Sequence, residues 1–325
     1  MSAPILSVRD LRVHFAMRVR GGILGRKVVL KAVDGVSFDL AAGETLGVVG
    51  ESGCGKSTLG RAVMQLIPPS QGSVVWMGDE IAGLGPSAMR PRRREMQIVF
   101  QDPLASLDPR MTIGDIIAEP LRTFHPELGR EARRDRVREM LAKVGLSPQM
   151  INRYPHEFSG GQCQRIGVAR AMILRPKLIV CDEPVSALDV SIQGQIINLL
   201  MELQREFGVA LIFISHNLAV VRHVSHRLLV LYLGRVMEIA DRDALYAEPL
   251  HPYTQALLEA VPIPDPAIEA ERAAHPLGGE VPSPLSPPSG CVFHTRCPRA
   301  DAGCRAELPV LREVRRGHYA ACIKL

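Results

Sequence analysis

The sequence predicts an α/β fold with a parallel β-sheet at its core, and three observations support that prediction. Short apolar runs alternate with amphipathic helical patterns through the middle of the 325-residue chain. The runs at residues 178–181 and 209–215 are apolar except for the final Ser215, which is typical of strands buried on both faces. A glycine-rich segment at residues 50–57 joins a predicted strand to a predicted helix.

The first part of the chain has the pattern of three strands and a helix. Strands are predicted at residues 5–15, 33–40 and 45–49. Residues 18–27 are predicted to form a surface loop because they hold three glycines and several arginines. The helical pattern of residues 56–67 is stopped by two consecutive prolines, so a helix is predicted there.

The middle of the chain continues the alternation. Residues 112–144 carry Leu, Ile, Met and Val at helical spacings and are predicted to form helices. Residues 191–207 have an apolar stripe that predicts an amphipathic helix. Residues 227–232 and 235–240 suggest a hairpin around Gly234.

Composition and charge narrow the class of function. The net charge is +5 and only 4% of residues are aromatic, so no nucleic-acid partner is expected. No apolar stretch reaches the about 18 residues needed to span a bilayer, and the first residues lack the pattern of a signal peptide. The chain is therefore expected to stay in the cytosol, with any membrane role left to a partner.

Residues 50–57 match the pattern G-x-x-x-x-G-K-[ST], which binds phosphates when it lies between a strand and a helix. Glycines let backbone N–H groups close around an anion, and the N-terminus of the helix adds a favourable dipole. Lys56 is expected to reach the β- and γ-phosphates of a nucleotide, and Ser57 to offer its hydroxyl to Mg²⁺. Cys54 occupies a position that is free to vary and is assigned no role.

An apolar run that ends in two carboxylates supplies the second half of the predicted site. Asp182 follows the strand at residues 178–181 and is expected to hold Mg²⁺, directly or through water. Glu183 comes next, points elsewhere and can polarise an attacking water. Such a strand end is weak evidence alone, but it is strong evidence beside a phosphate-binding loop.

Further segments resemble a known family. Residues 158–162, Phe-Ser-Gly-Gly-Gln, resemble the Leu-Ser-Gly-Gly-Gln signature of the ABC ATPases. Gln101 resembles the glutamine of the family's Q-loop, residues 186–189 resemble its D-loop, and His216 resembles its switch histidine. Phe15 is the candidate for the aromatic side chain that stacks on adenine. These segments occur in the family's order along the chain.

The resemblance implies an ATPase that binds ATP and Mg²⁺ and hydrolyses ATP as a head-to-tail pair. Glu183, His216 and Gln101 are then expected to be catalytic, and Ser57, Gln101 and Asp182 to surround Mg²⁺. In such a pair, the signature of one chain faces the γ-phosphate bound by the other. The residues implied in ATP binding are Phe15, Gly50, Ser52, Gly53, Gly55, Lys56, Ser57, Thr58, Ser159, Gly160, Gly161, Gln162 and Asp189.

The resemblance also implies a division of the chain. A P-loop NTPase (RecA-like) parallel-sheet core, with an antiparallel β subdomain and an α-helical subdomain at about residues 105–172, is expected to occupy residues 1–261. Residues 262–290 hold eight of the 25 prolines and are predicted to be a linker. A small cysteine-bearing C-terminal module follows at residues 291–325.

Two segments near the C-terminus narrow the resemblance. Residues 251–258 and 290–298 resemble the ATPases of oligopeptide, dipeptide and nickel importers, and residues 16–29 resemble an insertion in their "F" subunit. This implies peptide uptake at the cytoplasmic face of the inner (plasma) membrane. Nickel or another small solute is the alternative cargo, and a non-transport ABC ATPase is a distant alternative. The implied partners are a second ABC ATPase subunit, forming a heterodimer of paralogues, two membrane permease subunits and an extracytoplasmic substrate-binding protein.

Four of the seven cysteines lie near the C-terminus, at Cys291, Cys297, Cys304 and Cys322, with the spacing C-x5-C-x6-C-x17-C. Four thiolates can hold Zn²⁺ or a [4Fe–4S] cluster, and free thiols are the third reading. The closely spaced pairs of structural zinc sites are absent from this spacing. The related peptide importers imply a [4Fe–4S] cluster at these positions.

Overall fold

A computed structural model describes residues 3–19, 26–261 and 279–325 of the protein. Within these ranges the chain forms two compact units. Leu40–Thr45 and Leu84–Ser215 supply nearly all of the first unit, and Ile5–Asp39, Leu46–Gly83 and His216–Leu325 contribute to the second.

The described residues contain both strands and helices in each unit. The strands are β1 (Leu6–Val19), β2 (Arg26–Leu40), β3 (Thr45–Val49), β4 (Gln71–Trp76), β5 (Asp79–Glu80), β6 (Met96–Val99), β7 (Leu178–Asp182), β8 (Ala210–Ile214), β9 (Arg227–Tyr232), β10 (Arg235–Asp241), β11 (Arg312–Arg315) and β12 (His318–Ala320). The helices are α1 (Lys56–Val63), α2 (Pro86–Arg93), α3 (Ile113–Phe124), α4 (Arg130–Lys143), α5 (Gly160–Met172), α6 (Val190–Phe207), α7 (Leu218–Val224), α8 (Arg242–Ala247), α9 (Pro252–Glu259) and α10 (Ala302–Ala306), with 3₁₀ turns at Pro148–Asn152 and Pro155–Glu157.

Three parallel strands form the sheet of the first unit. β6 pairs with β7 and β7 with β8, so that Leu178 lies opposite both Met96 and Ala210. Every residue of β7 and β8 is buried, as their unbroken apolar runs predict. Helix α5 packs against α3, α4 and α6 and against β6. The predicted α/β fold with a parallel sheet is confirmed.

The second unit combines parallel and antiparallel pairing. β3 runs parallel to β9, and β9 pairs antiparallel with β10. The C-terminal strands extend this arrangement, because β12 pairs with β10 and β11 with β12. The order β2-β1-β4-β5 describes a separate four-stranded sheet. The C-terminal strands and the strand before the phosphate loop therefore belong to one unit.

The predicted surface loop at residues 18–27 is wrong at both ends. Strand β1 continues to Val19, and β2 begins at Arg26, seven residues before the predicted start at Val33. Residues 20–25 lie outside the described residues. Because β2 is an edge strand of its sheet, charged side chains such as Lys27 and Lys31 can face solvent there, which gives the strand a loop-like composition.

The predicted helix at residues 56–67 is four residues too long. Helix α1 ends at Val63, and Gln65 has a left-handed backbone with φ of 52°. The side-chain amide of Gln65 donates to the carbonyl of Ala62 at 2.8 Å, which satisfies part of the helix end. The helix therefore stops before the two prolines.

Residues 262–278 of the predicted linker lie outside the described residues. No helix within the described ranges combines the length and the apolar character needed to cross a membrane.

Candidate functional site

The predicted phosphate-binding loop joins β3 to α1 in the second unit and depends on glycine at two close approaches. Gly50 has φ of 149°, and a Cβ at this position would lie 2.1 Å from the carbonyl oxygen of Leu231. Gly55 has φ of 106°, and its Cβ would lie 2.0 Å from the carbonyl oxygen of Ala32. Only glycine tolerates both the backbone angle and the contact. The loop is therefore held tightly around the start of α1.

Lys56 is the first residue of α1, and its ammonium group points back into the loop. The Nζ of Lys56 donates to the carbonyl oxygens of Gly50 at 2.8 Å and Glu51 at 3.0 Å, and the residue is only 5% exposed. This places a buried positive charge within the ring of loop amides, where it can meet phosphate oxygens. Cys54 is also buried, and burial raises the pKa of its thiol, which fits the absence of an assigned role.

The other predicted phosphate ligands lie in the same turn. Gly53 has φ of 77°, Ser52 is exposed, and Ser57 and Thr58 are half-buried in the first turn of α1. This first turn carries no acidic residue. Its N–H groups and helix dipole therefore favour an anion.

Two residues that the sequence analysis did not assign to the site, Tyr253 and Arg296, hold the loop through Glu51. The N–H of Glu51 donates to the hydroxyl oxygen of Tyr253 at 2.9 Å. The carboxylate of Glu51 accepts two bonds from the guanidinium of Arg296, at 2.7 and 3.0 Å. Glu51 occupies a position of the phosphate-loop pattern that is free to vary, and its partners lie 202 and 245 residues further along the chain. No local sequence signal could have identified this contact.

The two predicted acidic residues lie at the end of β7 in the first unit. Asp182 is the last residue of the strand and is 1% exposed. Glu183 has a left-handed backbone with φ of 48°, and its N–H donates to the carbonyl of Ile214 at 3.0 Å. A non-glycine residue in this conformation is strained, and such strain is common at functional sites.

Gln101 lies beside Glu183 in the same unit. The Nε2 of Gln101 donates to the Oε2 of Glu183 at 3.4 Å. The structure therefore brings together two of the three residues that were predicted to be catalytic. A neutral amide next to the carboxylate can orient it without removing its negative charge.

The predicted signature forms the N-terminus of α5. Ser159 is the N-cap residue: its hydroxyl oxygen accepts from the N–H of Gln162 at 3.4 Å, and the side-chain oxygen of Gln162 accepts from the N–H of Ser159 at 3.0 Å. This reciprocal capping box fixes the first turn of the helix. Gly161 permits a close approach to α6, since a Cβ there would lie 2.5 Å from the Cγ2 of Ile192. A Cβ on Gly160 would be in ordinary contact, 3.6 Å from the Cδ2 of Leu188.

The remaining predicted ATP-site residues are exposed. Phe15 lies on β1 and is 36% exposed. Asp189 precedes α6 and does not cap it with its side chain. His216 is the first residue of the second unit after β8, and Asn217 next to it caps α7 by accepting from the N–H groups of Ala219 and Val220. All three side chains are exposed to solvent.

The four C-terminal cysteines line one cavity of the second unit. Cys291 and Cys304 are buried, Cys297 and Cys322 are half-buried, and all four carry free thiols. Burial, and then the neighbouring thiols, raise the pKa of Cys291 and Cys297. Among the residues that the structure describes, no three His, Cys, Asp or Glu side chains converge as ligands of a single metal ion. Four thiols that line one cavity are a donor set of the type used by iron–sulfur clusters and by zinc.

Comparisons with known proteins cover nearly the whole chain. Residues 33–186 match the family described as "ABC transporter", and residues 237–304 match "Oligopeptide/dipeptide transporter, C-terminal region". The oligopeptide transport ATP-binding protein OppF of Escherichia coli K12 is 58% identical over 99% of this chain and 96% of its own length. The protein of the same name from Haemophilus influenzae is 53% identical over 99% of this chain and 97% of its own.

Solved structures agree with these matches. The cbiO1 protein of Clostridium perfringens, part of the ABC transporter complex cbiONQ, superposes with a TM-score of 0.65 at 26% identity, over 76% of this chain and 92% of its own. The ATP-binding cassette MJ0796, in a dimeric post-hydrolysis state bound to ADP and Pi, gives a TM-score of 0.64 at 27% identity, over 73% of this chain and 98% of its own.

Ser159 caps a helix that begins with Gly-Gly-Gln, and the same chain carries the phosphate loop. This combination distinguishes the ATP-binding cassette ATPases from other P-loop proteins. This protein is an ATPase of that class. The matches extend through the C-terminal region and over the full length of the relatives. The chain belongs to the family of oligopeptide transport ATP-binding proteins of ABC transporters.

Proposed function

We propose that this chain is the ATP-hydrolysing subunit that energises the import of peptides through membrane permease subunits. The observation that carries the proposal is the phosphate loop with its seated Lys56, in a chain that matches oligopeptide transport ATP-binding proteins from end to end. The same comparison supports a peripheral position at the cytoplasmic face of the inner membrane. Its implied partners are two permease subunits and an extracytoplasmic substrate-binding protein.

In the proposed site, the phosphate loop and the acidic residues at the end of β7 bind different parts of ATP·Mg²⁺. Lys56 and the loop amides contact the β- and γ-phosphates, with Gly50, Ser52, Gly53, Gly55 and Thr58 completing the loop. Ser57, Gln101 and Asp182 surround Mg²⁺, and Phe15 stacks on the adenine ring. Glu183 polarises the attacking water, and His216 contacts the γ-phosphate.

The proposed site is completed by a second ATPase chain. Ser159, Gly160, Gly161 and Gln162 present the capped N-terminus of α5 to the γ-phosphate bound by the other chain, and Asp189 lies nearby. The partner is proposed to be a paralogue, so that the pair is a heterodimer. ATP then joins the two chains, and hydrolysis separates them.

A division into three parts is proposed for the chain. Residues 1–261 form the nucleotide-binding domain, with its helical subdomain at about 105–172. Residues 262–290 form a proline-rich linker, and residues 291–325 form the cysteine-bearing module.

Substitution of Glu183 tests the chemical part of the proposal. Glu183→Gln should bind ATP normally and lose turnover, because an amide cannot polarise the attacking water as a carboxylate does. Glu202→Gln makes the same change at an exposed position of α6 in the same unit and should retain turnover. Equal turnover in both variants would contradict the assigned role of Glu183.

Substrate class and partners are tested in the native membrane. Affinity purification of the tagged chain should recover two permease subunits and a second ATPase. Uptake of a labelled tetrapeptide into cells should be lost when Glu183→Gln replaces the wild-type chain. Loss of labelled nickel uptake with normal peptide uptake would instead assign the chain to the alternative cargo.

The four C-terminal thiols are proposed to hold a [4Fe–4S] cluster. When bound, such a cluster supplies a covalent crosslink among the four cysteines of the C-terminal module. Protein purified without oxygen should contain iron and absorb visible light, and Cys291→Ser should remove both signals. Cys163→Ser changes a buried cysteine of α5 and should remove neither. A colourless protein with one bound zinc would reject the cluster.

A further inference from the structure

Glu51 contacts both the C-terminal region and Lys56, the lysine of the phosphate loop. Its carbonyl oxygen accepts from the Nζ of Lys56 at 3.0 Å, while its carboxylate accepts two bonds from Arg296 and its N–H donates to Tyr253. Each polar group of Glu51 is thus held by a different partner. A single residue therefore joins the phosphate loop to two segments of the chain that follow β10.

Arg296 is held in a fixed position within the second unit. Its side chain is only 6% exposed, and its guanidinium lies 6.0 Å from the centre of the Tyr232 ring. An arginine side chain stays protonated throughout the physiological pH range, so this charge is permanent. The paired forks of guanidinium and carboxylate give a strong, directional contact.

An aromatic cluster packs around the side chains that contact Glu51. The rings of Tyr232, Tyr253 and Phe293 are fully buried, with centroids 4.7 to 5.3 Å apart. Such packing leaves the Tyr253 hydroxyl and the Arg296 guanidinium little freedom to move. The contact with Glu51 is therefore preformed.

The charge of Glu51 is unfavourable for the ligand that the loop binds. Its carboxylate belongs to the second residue of a loop that must accept a polyphosphate, and its side chain is only 24% exposed. An unpaired carboxylate there would repel the phosphates, and limited solvent would screen that repulsion poorly. Arg296 neutralises this charge through its two hydrogen bonds to the carboxylate.

We propose that Arg296 is a positioning residue for nucleotide binding, which makes the ATP affinity of the phosphate loop depend on the cysteine-bearing module. The inference rests on the proposed binding of ATP by this loop. It assigns Arg296 an electrostatic role through Glu51, and no direct contact with the nucleotide.

The two partners should respond in opposite ways. Arg296→Met leaves the Glu51 carboxylate unpaired and should weaken ATP binding about tenfold. Glu51→Gln removes the repelling charge and should bind ATP as tightly as the wild type or more tightly. The double variant should recover most of the affinity lost in Arg296→Met, and Arg296→Lys, which keeps the charge without the fork, should lie between Arg296→Met and the wild type.

The experiment measures the dissociation constant of a fluorescent ATP analogue for the full-length chain, with the thermal midpoint recorded for each variant. Arg305→Met changes an exposed arginine of the same module and should leave the constant unchanged. A higher KM for ATP at an unchanged kcat in Arg296→Met would support the same role, because the chemical step does not involve this residue.

A purely structural contact gives a different result. Three results would overturn the inference without contradicting the proposed function. They are equal weakening of ATP binding in Arg296→Met and Glu51→Gln, no recovery of affinity in the double variant, and an unchanged dissociation constant in Arg296→Met. A wild-type chain that does not bind the analogue would overturn the proposed function as well. If Arg296→Met does not fold, the intermediate affinity of Arg296→Lys and its recovery by Glu51→Gln decide the question.

Discussion

The side-chain amide of Gln101 donates to the carboxylate of Glu183 at 3.4 Å, across 82 positions of sequence. Glu183 is held in turn by its left-handed backbone and by the bond from its N–H to the carbonyl of Ile214. The carboxylate that is proposed to polarise water is therefore oriented by both its main chain and a neighbouring amide. This arrangement predisposes one rotamer for the reaction.

Removal of the amide should affect the reaction more than binding. Gln101→Ala is expected to lower ATP turnover about ten- to a hundredfold, because Glu183 loses the group that orients it. The affinity for ATP without Mg²⁺ should change little, since the phosphate loop is untouched. Turnover and nucleotide binding are measured on the same preparation, with Gln149→Ala as an exposed control. A parallel loss of binding and turnover would show that Gln101 acts mainly on the nucleotide.

Two glycines of α5 should respond oppositely to alanine. Gly161→Ala would place a Cβ 2.5 Å from the Cγ2 of Ile192, so the side chain or the helix must move, at a cost of about 1–3 kcal/mol. Gly167→Ala meets no atom within 4 Å and should stabilise the helix by about 0.5–1 kcal/mol. The measurement is the free energy of unfolding in urea. Destabilisation by both variants would indicate that α5 tolerates no added side chain.

The segments with a local chemical pattern were predictable from the sequence. The run before Asp182 does not alternate between apolar and polar residues because both faces of β7 are covered. Glycine is required at positions 50 and 55 because a backbone carbonyl oxygen lies where a Cβ would clash. Ser159 and Gln162 are three residues apart, so their capping box has a signature in the sequence. In each case the pattern is local, although the groups that require it can be distant: the carbonyl oxygens that approach Gly50 and Gly55 belong to Leu231 and Ala32.

Features that depend on distant residues were not predictable. Residues 26 and 27 belong to the predicted loop at residues 18–27, and only pairing at the sheet edge makes them part of a strand. The partners of Glu51 are more than 200 residues away and are selected by tertiary packing. Gln65 ends α1 early through a backbone angle that the helical pattern does not reveal. Local patterns therefore identified the phosphate loop but not what supports it.

Glu238 holds the C-terminal strands onto the second unit. It is fully buried, and its carboxylate accepts from the N–H groups of Leu250 and His251, at 2.9 and 2.8 Å, and contacts the Nε2 of His318 at 2.6 Å. Glu238→Ala should therefore lower the free energy of unfolding by about 3 kcal/mol, because it leaves buried donors unpaired.

A neighbouring ion pair provides the matched control. Glu248 pairs with Arg315 of β11, and both side chains are more than half exposed. Because solvent screens this pair, Glu248→Ala should change stability little. Urea unfolding followed by far-ultraviolet circular dichroism measures both variants. Similar losses in the two would mean that burial does not determine the strength of these contacts.

Asp34 is a buried carboxylate in contact with an arginine, a histidine and a lysine side chain. It is 4% exposed and contacts Arg235, the Nε2 of His14 at 3.0 Å and the Nζ of Lys31 at 3.8 Å. Burial raises its pKa, but attraction to Arg235 and hydrogen bonding to His14 outweigh this effect, so the pKa lies below its ordinary 3.8. The ionised form is thus favoured by folding.

This shift has a defined sign in the dependence of stability on pH. Because the folded-state pKa of Asp34 is below the unfolded value, its contribution is complete above pH 3.8 and is lost as the pH falls through the folded-state pKa. Asp34→Asn should lose about 3 kcal/mol at neutral pH and decline less steeply in acid. Unfolding free energies from about pH 3 to about pH 7 measure both effects. Asp39→Asn is the control: the Asp39 side chain is 44% exposed in its pair with Arg9, so this substitution should change the free energy of unfolding little at neutral pH. If Asp34→Asn kept the wild-type dependence of stability on acid pH, the acid sensitivity would belong to other groups.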